Sequence, residues 1–168
     1  ERKQNEEALR ESEERYRTLA EAAEDMIFVI GRDDCVQFAN ASAAHELGLT
    51  PQQAIGKALD LLFPPDIVGH HKQALRRVFD TGQSEFAEGL VRFGQRDRWL
   101  STRLAPLRDD SGTTEAVMGI SRDITDRKRA ETNLQSAYAK LDALWGATSL
   151  ADLTVRSAEH ILDSIVRM

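Results

Sequence analysis

The sequence is poor in the residues that cross-link or anchor small proteins. Cys35 is its single cysteine, so no internal disulfide and no thiolate cluster for a metal ion can form. No apolar run approaches the roughly 20 residues that span a bilayer, and no signal-peptide pattern is present. These absences predict a soluble chain of a reducing compartment, the cytoplasm, although a longer parent protein would have room for a membrane segment upstream.

The sequence also lacks the motifs of the common enzyme classes. It has no glycine-rich phosphate loop, no metal-spaced cluster of histidine and cysteine, and no nucleophile elbow. The paired carboxylates Asp33–Asp34 and Asp109–Asp110 fall in predicted turns, where solvated turn residues are the better interpretation. His160 is followed by Ile161-Leu162-Asp163, which does not match the pattern after a phosphoacceptor histidine. The chain itself is therefore not expected to be an enzyme.

Charge and length further limit the classes of protein to which the sequence can belong. The net charge is −6, and acidic and basic residues are intermixed, which argues against a nucleic-acid-binding surface. A hydrophobic fraction of 41% is enough for one core, and 168 residues allow one domain with appendages.

Residues 1–23 predict an N-terminal helix. They contain no glycine or proline and are rich in Glu, Arg and Ala. Leu9, Tyr16 and Leu19 recur at helical spacing. Because an isolated helix of this length is marginal in water, it needs a partner surface. Two arrangements stay open, packing on its own domain and pairing in a parallel coiled coil.

Residues 24–125 predict an α+β domain. Five strands are expected, at residues 26–30, 36–39, 84–93, 98–107 and 114–123. Asn40 opens short helices, and Thr50 with Gln53 forms a predicted capping box. A longer helix opens at Pro64-Pro65 and ends near Thr81-Gly82, where Gly82 is well placed for a left-handed helix end. Two strands, then helices, then three strands indicate helices gathered on one face of an antiparallel sheet.

The stretch 119–131 joins the last strand to a helix with almost no loop. A β-like run ends in Asp123-Ile124-Thr125, and a charged helical pattern begins at once. Thr125 is placed to cap the first free N–H groups of that helix. This stretch, together with Asn40–Lys57 after the first hairpin, resembles a PAS domain, the sensory module of bacterial signalling proteins. The resemblance covers residues 16–131.

The resemblance implies a PAS fold, with a five-stranded antiparallel sheet, helices on one face and amphipathic helices at both ends. It also implies a signal junction at Asp123, Thr125 and Trp99. In that junction Asp123 ties the sheet to the output helix through a polar partner, for which Trp99 and Arg32 are the candidates.

Some PAS domains hold haem through a histidine on the long helix, and His71 lies on the apolar face of that helix here. In alignment with those members the ligand position falls nearer Lys72, so a packed structural histidine is the favoured interpretation and haem the alternative. The flavin photosensors need a cysteine near residues 57–63, which this sequence lacks. Photoadduct chemistry is thereby excluded, while non-covalent flavin stays open.

A ligand pocket is expected between the sheet and the helices. Its predicted apolar lining is Phe28, Ile30, Phe38, Leu62, Phe63, Val68, Leu75, Phe86, Leu90, Leu104 and Val117. Arg92 and Arg103 lie on neighbouring strands, and either would hold an anionic ligand if it pointed inward. The alternative is a packed core with both arginines in solvent.

Residues 126–146 predict an output helix. Leu134, Tyr138, Leu141 and Trp145 have heptad spacing, and Gly146 is expected to end the helix. Residues 147–168 then predict the start of a further, truncated domain. Their Thr148–Leu153 pattern resembles the opening of a GAF domain.

Together these features predict a sensory and regulatory module that dimerises and relays a signal, such as a small-molecule ligand, through coiled-coil helices to an output domain in the same chain. The expected parent is a histidine kinase or a cyclic-nucleotide signalling enzyme. The residues expected to pair in a homodimer are Leu9, Tyr16, Leu19, Leu134, Leu141 and Trp145. The alternatives are a ligand-free interaction module and a haem-binding redox or gas sensor.

Overall fold

The computed structural model describes the backbone of residues 2–166 and the side chains of residues 7–8 and 10–145. Its helices are α1 (Arg2–Glu21), α2 (Ala41–Glu46), α3 (Pro51–Ala54), α4 (Leu59–Leu62), α5 (Pro65–Thr81) and α6 (Thr125–Val166). Its strands are β1 (Met26–Gly31), β2 (Val36–Ala39), β3 (Glu85–Phe93), β4 (Arg96–Arg108) and β5 (Thr114–Asp123). The chain forms two compact units, with the boundary after Thr125.

The five strands form one antiparallel sheet in the order β2-β1-β5-β4-β3. The predicted α+β architecture is confirmed, and β2 and β5 have the predicted bounds. β4 begins two residues earlier than predicted, at Arg96, because the turn after β3 takes up only Gly94 and Gln95. Helix α5 contacts β3, β4 and β5.

The side of the sheet that faces α5, called the inner face, builds the core. Ile30 on β1 pairs with Val117 on β5, and both belong to one buried cluster with Val78 of α5. Burying a side chain of this size stabilises the fold by about 1.5–3 kcal/mol. Because directly paired residues share a face, the register of the strands decides which side chains reach the core.

Gly119 lets an aromatic ring lie flat on the inner face. It pairs with Phe28 across β1 and β5. A Cβ atom at position 119 would lie 2.1 Å from Phe28 Cζ. The Phe28 ring therefore packs on the bare backbone of β5, and a larger residue at position 119 would displace it.

The predicted helix ends are confirmed at two places. The Thr50 hydroxyl accepts from Gln53 N–H while the Gln53 side chain accepts from Thr50 N–H, so the capping box is formed. Gly82 ends α5 with φ of 62°, a left-handed conformation that favours glycine. Its carbonyl accepts a hydrogen bond from Arg108 Nη2 at 2.6 Å, which ties the end of α5 to β4.

Asn40 joins three elements through one fully buried side chain. Its Oδ1 accepts from the backbone N–H groups of Ile27 and Ala43, each at 3.0 Å. Its Nδ2 donates to the carbonyls of Ala20 and Asp25, each at 2.9 Å. The amide thus uses two donors and two acceptor lone pairs. It holds the end of α1 against β1 and the first turn of α2.

We expect Asn40→Ala to lower the free energy of unfolding by about 2–4 kcal/mol, because it leaves several buried backbone groups without partners. Asn40→Asp should cost at least as much, since a carboxylate cannot donate to two carbonyls. Ser42→Ala is the control, because that hydroxyl makes one longer bond, 3.3 Å, to the Ala23 carbonyl. Urea unfolding followed by circular dichroism measures all three. A loss below about 1 kcal/mol for Asn40→Ala would contradict the joint role of this amide.

Helix α6 corrects the predicted break at Gly146. The helix runs without interruption from Thr125 to Val166. A glycine in a helix interior costs only about 1 kcal/mol relative to alanine, which a helix of 42 residues absorbs. A new helix capped at Thr148 or Ser149 is therefore wrong. The GAF-like identity of residues 147–168 stays a prediction.

Two negative findings apply to the part of the chain that the structure describes. None of its helices combines the length and the apolar character needed to cross a bilayer. No group of three or more His, Cys, Asp or Glu side chains there is placed to hold a metal ion.

Candidate functional site

A cavity of about 570 Å³ lies between α5 and the inner face of the sheet. Small-molecule sites in proteins span about 300–1,000 Å³, so the cavity has the size of a ligand site. Its lining comes from α2, α4, α5 and four of the strands. The predicted lining residues that the structure places there are Phe28, Ile30, Phe63, Leu75, Leu104 and His71. Leu90 borders the cavity from the edge strand β3, but its pairing with Trp99 puts its side chain on the face opposite to Leu104.

Three predicted lining residues belong to the packed interior instead. Val68 and Val117 are buried in the core cluster, and Leu62 packs against it. None of the three lines the cavity. They pack behind the residues that line the cavity. Their prediction as ligand contacts is therefore wrong, and their prediction as apolar core residues is correct.

Phe86 and Arg103 lie on the outer face of the sheet, and their prediction as lining residues is also wrong. Glu85 pairs with Leu104, and Phe86 pairs with Arg103. Since Leu104 lines the cavity, its partner Glu85 shares the inner face. The next pair along the strands must then point outward. Phe86 is accordingly 69% exposed.

Arg92 and Phe38 lie outside the cavity for the same reason. Arg92 donates from Nε to Asp97 Oδ1 at 2.9 Å on the exposed side of β3 and β4. Phe38 pairs with Val29, on the face opposite to Phe28. An anionic ligand in the cavity therefore meets neither of the two arginines proposed from the sequence.

His71 is half-buried on the cavity side of α5. Its Nε2 atom is buried and has no hydrogen-bond partner in the protein. Its ring centroid lies 4.8 Å from that of Phe63. Burial lowers the pKa of His71 below its usual value, and the neighbouring His70 adds to the effect. The imidazole is therefore neutral at pH 7, and Nε2 donates or accepts according to the tautomer.

Two hydroxyl groups lie on the sheet side of the cavity. Thr102 Oγ1 and Ser121 Oγ are 2.8 Å apart, and both residues line the cavity. One hydroxyl donates to the other, so the second keeps a proton for a further acceptor. Neither residue was predicted from the sequence, although Thr102 alternates with Leu104 along β4 and thus shares its face.

An ion pair ties α5 to β3 beside the cavity. Arg77 donates from Nε to Glu85 Oε1 at 2.5 Å and from Nη2 to Oε2 at 2.9 Å. This two-pronged bond lowers the pKa of Glu85 below its usual value. The guanidinium is therefore already committed to a carboxylate.

The charge of this lining does not suit haem. Its described acidic side chains are Asp66, Glu85 and Glu88. Arg77, the arginine among the described lining residues, is paired with one of them. The propionates of haem, like the phosphate of a flavin nucleotide, would therefore meet no arginine or lysine of the described lining whose charge is not already balanced. Lys72, nearer to the ligand position of haem-binding members, pairs with Asp34 at 3.2 Å and with Asp60, outside the lining.

The joint between β5 and α6 is held by β4. The Trp99 carbonyl accepts from Ile124 N–H at 2.8 Å. Trp99 N–H donates to Thr125 Oγ1 at 3.0 Å. Ile124 and Thr125 are both buried. The Thr125 hydroxyl thus links the first residue of α6 to the sheet. Its predicted role as the cap of that helix is wrong, because the hydroxyl accepts from Trp99 N–H on β4 instead.

Asp123 connects this joint to a chain of charges. Its Oδ1 accepts from Thr125 N–H at 2.8 Å, as predicted for a carboxylate before a helix. Its Oδ2 lies 3.3 Å from Arg98 Nη1. Arg98 Nε lies 3.6 Å from Glu46 Oε2 on α2. The charges therefore link α2 to the start of α6 by way of β4.

Arg98 is a polar partner of Asp123 that was not predicted. Of the two candidates from the sequence, Arg32 is wrong, because it donates from Nε to the Thr114 carbonyl and lies 4.9 Å above the Phe79 ring. A bond between the Trp99 side chain and Asp123 stays a prediction. The alternation of side chains along β4 could have identified Arg98. It lies two residues before the core residue Leu100, on the same face and nearer the start of the strand.

His71→Leu should leave the ligand-free protein folded, because it removes a buried nitrogen that has no partner in the protein. We expect the free energy of unfolding at pH 7.5 to stay within about 1 kcal/mol of the wild type. His45→Leu, at an exposed position on α2, is the matched control.

The stability of His71→Leu should also depend less on pH than that of the wild type. Because the folded-state pKa of His71 is lowered, the unfolded chain takes up the proton first as the pH falls below about 6.5. The contribution of this group to stability is therefore full above that pH and is lost as the pH falls toward the folded-state pKa. Urea unfolding at pH 7.5 and 5.5 should show a smaller loss for His71→Leu than for wild type. Equal losses would contradict a neutral, buried imidazole.

Comparison with known proteins identifies the family of this fold. A family model described as the PAS fold matches residues 20–129. The Two-component sensor PprA of Pseudomonas aeruginosa is 31% identical over 157 residues, covering 92% of this chain and 17% of that protein. The Methanogenesis regulatory histidine kinase FilI of Methanothrix harundinacea is 26% identical over 157 residues, with coverages of 92% and 17%. The chain thus spans about a sixth of the length of these relatives.

Solved structures agree on the fold. The PAS domain of BvgS from Bordetella pertussis has a TM-score of 0.57 at 21% identity, covering 78% of this chain and 98% of that one. The PAS domain of a protein from Colwellia psychrerythraea has a TM-score of 0.58 at 18% identity, covering 67% and 97%. Since the family model covers well over half of the sequence, the chain belongs to the PAS family.

Proposed function

We propose that the chain is a sensory module that detects a small molecule in the cavity and passes the event to α6. The observation that carries this proposal is that β4 and β5 both line the cavity and hold the start of α6. Leu100 lines the cavity while its neighbour Trp99 binds Thr125 through the backbone. Ser121 lines it as well, two residues before Asp123.

Small strand movements are enough for such a relay. Each hydrogen bond at the joint contributes about 0.5–1.5 kcal/mol. The two states of a conformational switch differ by only a few kcal/mol. A ligand that binds more tightly when one or both of the Trp99 backbone bonds to Ile124 and Thr125 are broken would therefore shift the population between two positions of α6.

The relatives support a kinase as the parent protein. Two of them are named as a two-component sensor and as a regulatory histidine kinase. We propose a cytoplasmic module that controls a histidine kinase domain in the same longer chain, with a cyclic-nucleotide enzyme as the alternative output. The module carries out no chemical step in this scheme.

A ligand-free interaction module is the second candidate. Phe86 and Leu90 are 69% and 54% exposed on the edge strand β3, which favours a docking surface. Mass spectrometry of the denatured protein, purified from its own host, separates the two candidates. A stoichiometric small molecule supports sensing, and a protein partner captured without one supports docking.

Exposed apolar residues on both flanking helices support a homodimer. Tyr16 and Leu19 of α1 are exposed, as are Leu134, Leu141 and Trp145 of α6. The side chain of Leu9, also predicted at the dimer contact, lies outside the described residues. Pairing these positions in a second copy would remove apolar surface from water, the main driving force of association.

Leu134→Lys combined with Leu141→Lys should weaken this dimer. Each leucine buried in a partner contributes about 1.5–3 kcal/mol, so we expect Kd to rise by more than about a hundredfold. Leu61→Lys, at an exposed leucine of α4, is the matched control and should leave association unchanged. Analytical ultracentrifugation measures all three chains. A wild-type chain that stays monomeric in the tens of micromolar would overturn the proposal.

Asp123→Ala should uncouple the output and leave the domain folded. Loss of a partly exposed helix-end carboxylate costs about 0.5–2 kcal/mol, which a domain of this size tolerates. Arg98→Met removes the other half of the 3.3 Å contact and should give the same phenotype. Arg92→Met breaks an exposed pair elsewhere on the sheet and serves as the control.

Two measurements are needed for this set. Thermal melting of the fragment reports folding, and output activity of the longer parent protein reports coupling. Normal regulation in Asp123→Ala, or collapse of the fragment, would each argue against the joint as the route of the signal.

A further inference from the structure

The cavity has an aromatic and apolar interior. The rings of Phe28, Phe63 and Phe93 all line it. The Phe63 centroid lies 6.0 Å from that of Phe93 and 4.8 Å from that of His71, both at tilted angles. Rings at such spacings and angles pack favourably on one another, and a further flat ring extends the same arrangement.

A buried polar atom on α5 marks where a ligand group would bind. His71 Nε2 is buried, lacks a partner within the protein and belongs to a residue that lines the cavity. A buried nitrogen without a hydrogen bond costs free energy, which a ligand hydroxyl, amide or ring nitrogen would recover. Because burial keeps the imidazole neutral, this bond needs no charge on the ligand.

A second polar point lies on the sheet. The hydroxyl groups of Thr102 and Ser121 bind each other at 2.8 Å, and one of their two protons remains for another acceptor. The residues that carry these uncharged hydrogen-bonding groups, one on the helix and two on the sheet, line the same cavity.

The charges at the cavity argue against an anionic ligand. Arg77 is held by both oxygens of Glu85, so its positive charge is already balanced by a carboxylate. Asp66, another described acidic residue of the lining, is exposed on α5 and adds a negative charge at the rim of the cavity. A cationic ligand in the interior would lose its water without a buried carboxylate to replace it.

We propose that the cavity binds an uncharged, flat aromatic molecule whose polar group bonds to His71 Nε2. This inference rests on the proposed sensory function and names the class of its ligand. Phe63 and Phe93 stack on the aromatic body, His71 bonds to the polar substituent, and the hydroxyl pair on the sheet offers a second bond.

Three matched probes test the proposed class of ligand on the wild-type chain. They are 2-naphthol, which is neutral with one hydroxyl, naphthalene, which lacks it, and 2-naphthoate, which is an anion of similar size. Isothermal titration calorimetry at pH 7.5 should show 2-naphthol binding about tenfold or more tightly than either of the others. The 15N chemical shift of His71 Nε2 should move on addition of 2-naphthol.

Variants separate the hydrogen bond from the shape of the cavity. His71→Leu should weaken 2-naphthol binding about tenfold and leave naphthalene binding nearly unchanged. His71→Gln keeps a donor and an acceptor and should recover part of the 2-naphthol affinity. His45→Leu, outside the cavity, should bind all three probes like the wild type.

Preferential binding of 2-naphthol that depends on His71 supports the proposal. Tighter binding of 2-naphthoate, an equal response of His71→Leu and wild type, or no binding of any probe at millimolar concentration overturns it. Each of these failures leaves the sensory function standing, because that function is tested separately by the Asp123→Ala parent protein.

Discussion

The antiparallel pairing of β4 with β5 is the constraint on which both the cavity and the joint depend. It places Thr102 opposite Ser121 at the cavity and leaves Asp123 at the end of the same ladder. β5 also pairs with β1, where Gly119 lies beneath the Phe28 ring, and that ring forms part of the cavity wall. A slip of one residue would turn every side chain of a strand to the other face. One set of backbone hydrogen bonds therefore fixes where a ligand fits and where α6 begins.

Much of the fold could be predicted because its signals are local. The capping box at Thr50 and the left-handed end at Gly82 depend on residues within a few positions of each other. The role of Asn40 could be predicted only in part. Its place at the start of α2 follows from its residue type, but its bonds to the carbonyls of Ala20 and Asp25 join segments that meet only in the folded chain.

The candidate site was harder to predict, since β3 is apolar on both faces. Phe86 and Leu90 fall on one side of the alternation, while Val91 and Phe93 fall on the other. The sequence of β3 alone cannot decide which set faces the helices. The pairing of Glu85 with Leu104 decides it, and that pairing depends on a partner strand across a turn. The same long-range dependence explains why Arg98 was overlooked as the partner of Asp123.

The shared strands also determine how binding and signalling must influence each other. A ligand shifts a conformational equilibrium only by the difference in its affinity for the two states. Leu100 and Ser121 line the cavity, and their strands hold the start of α6. Any displacement of the joint that moves these strands therefore changes the cavity and with it the affinity for a ligand. Such coupling is reciprocal. A contact that fixes the start of α6 in one position therefore also favours the shape of the cavity that occurs with that position.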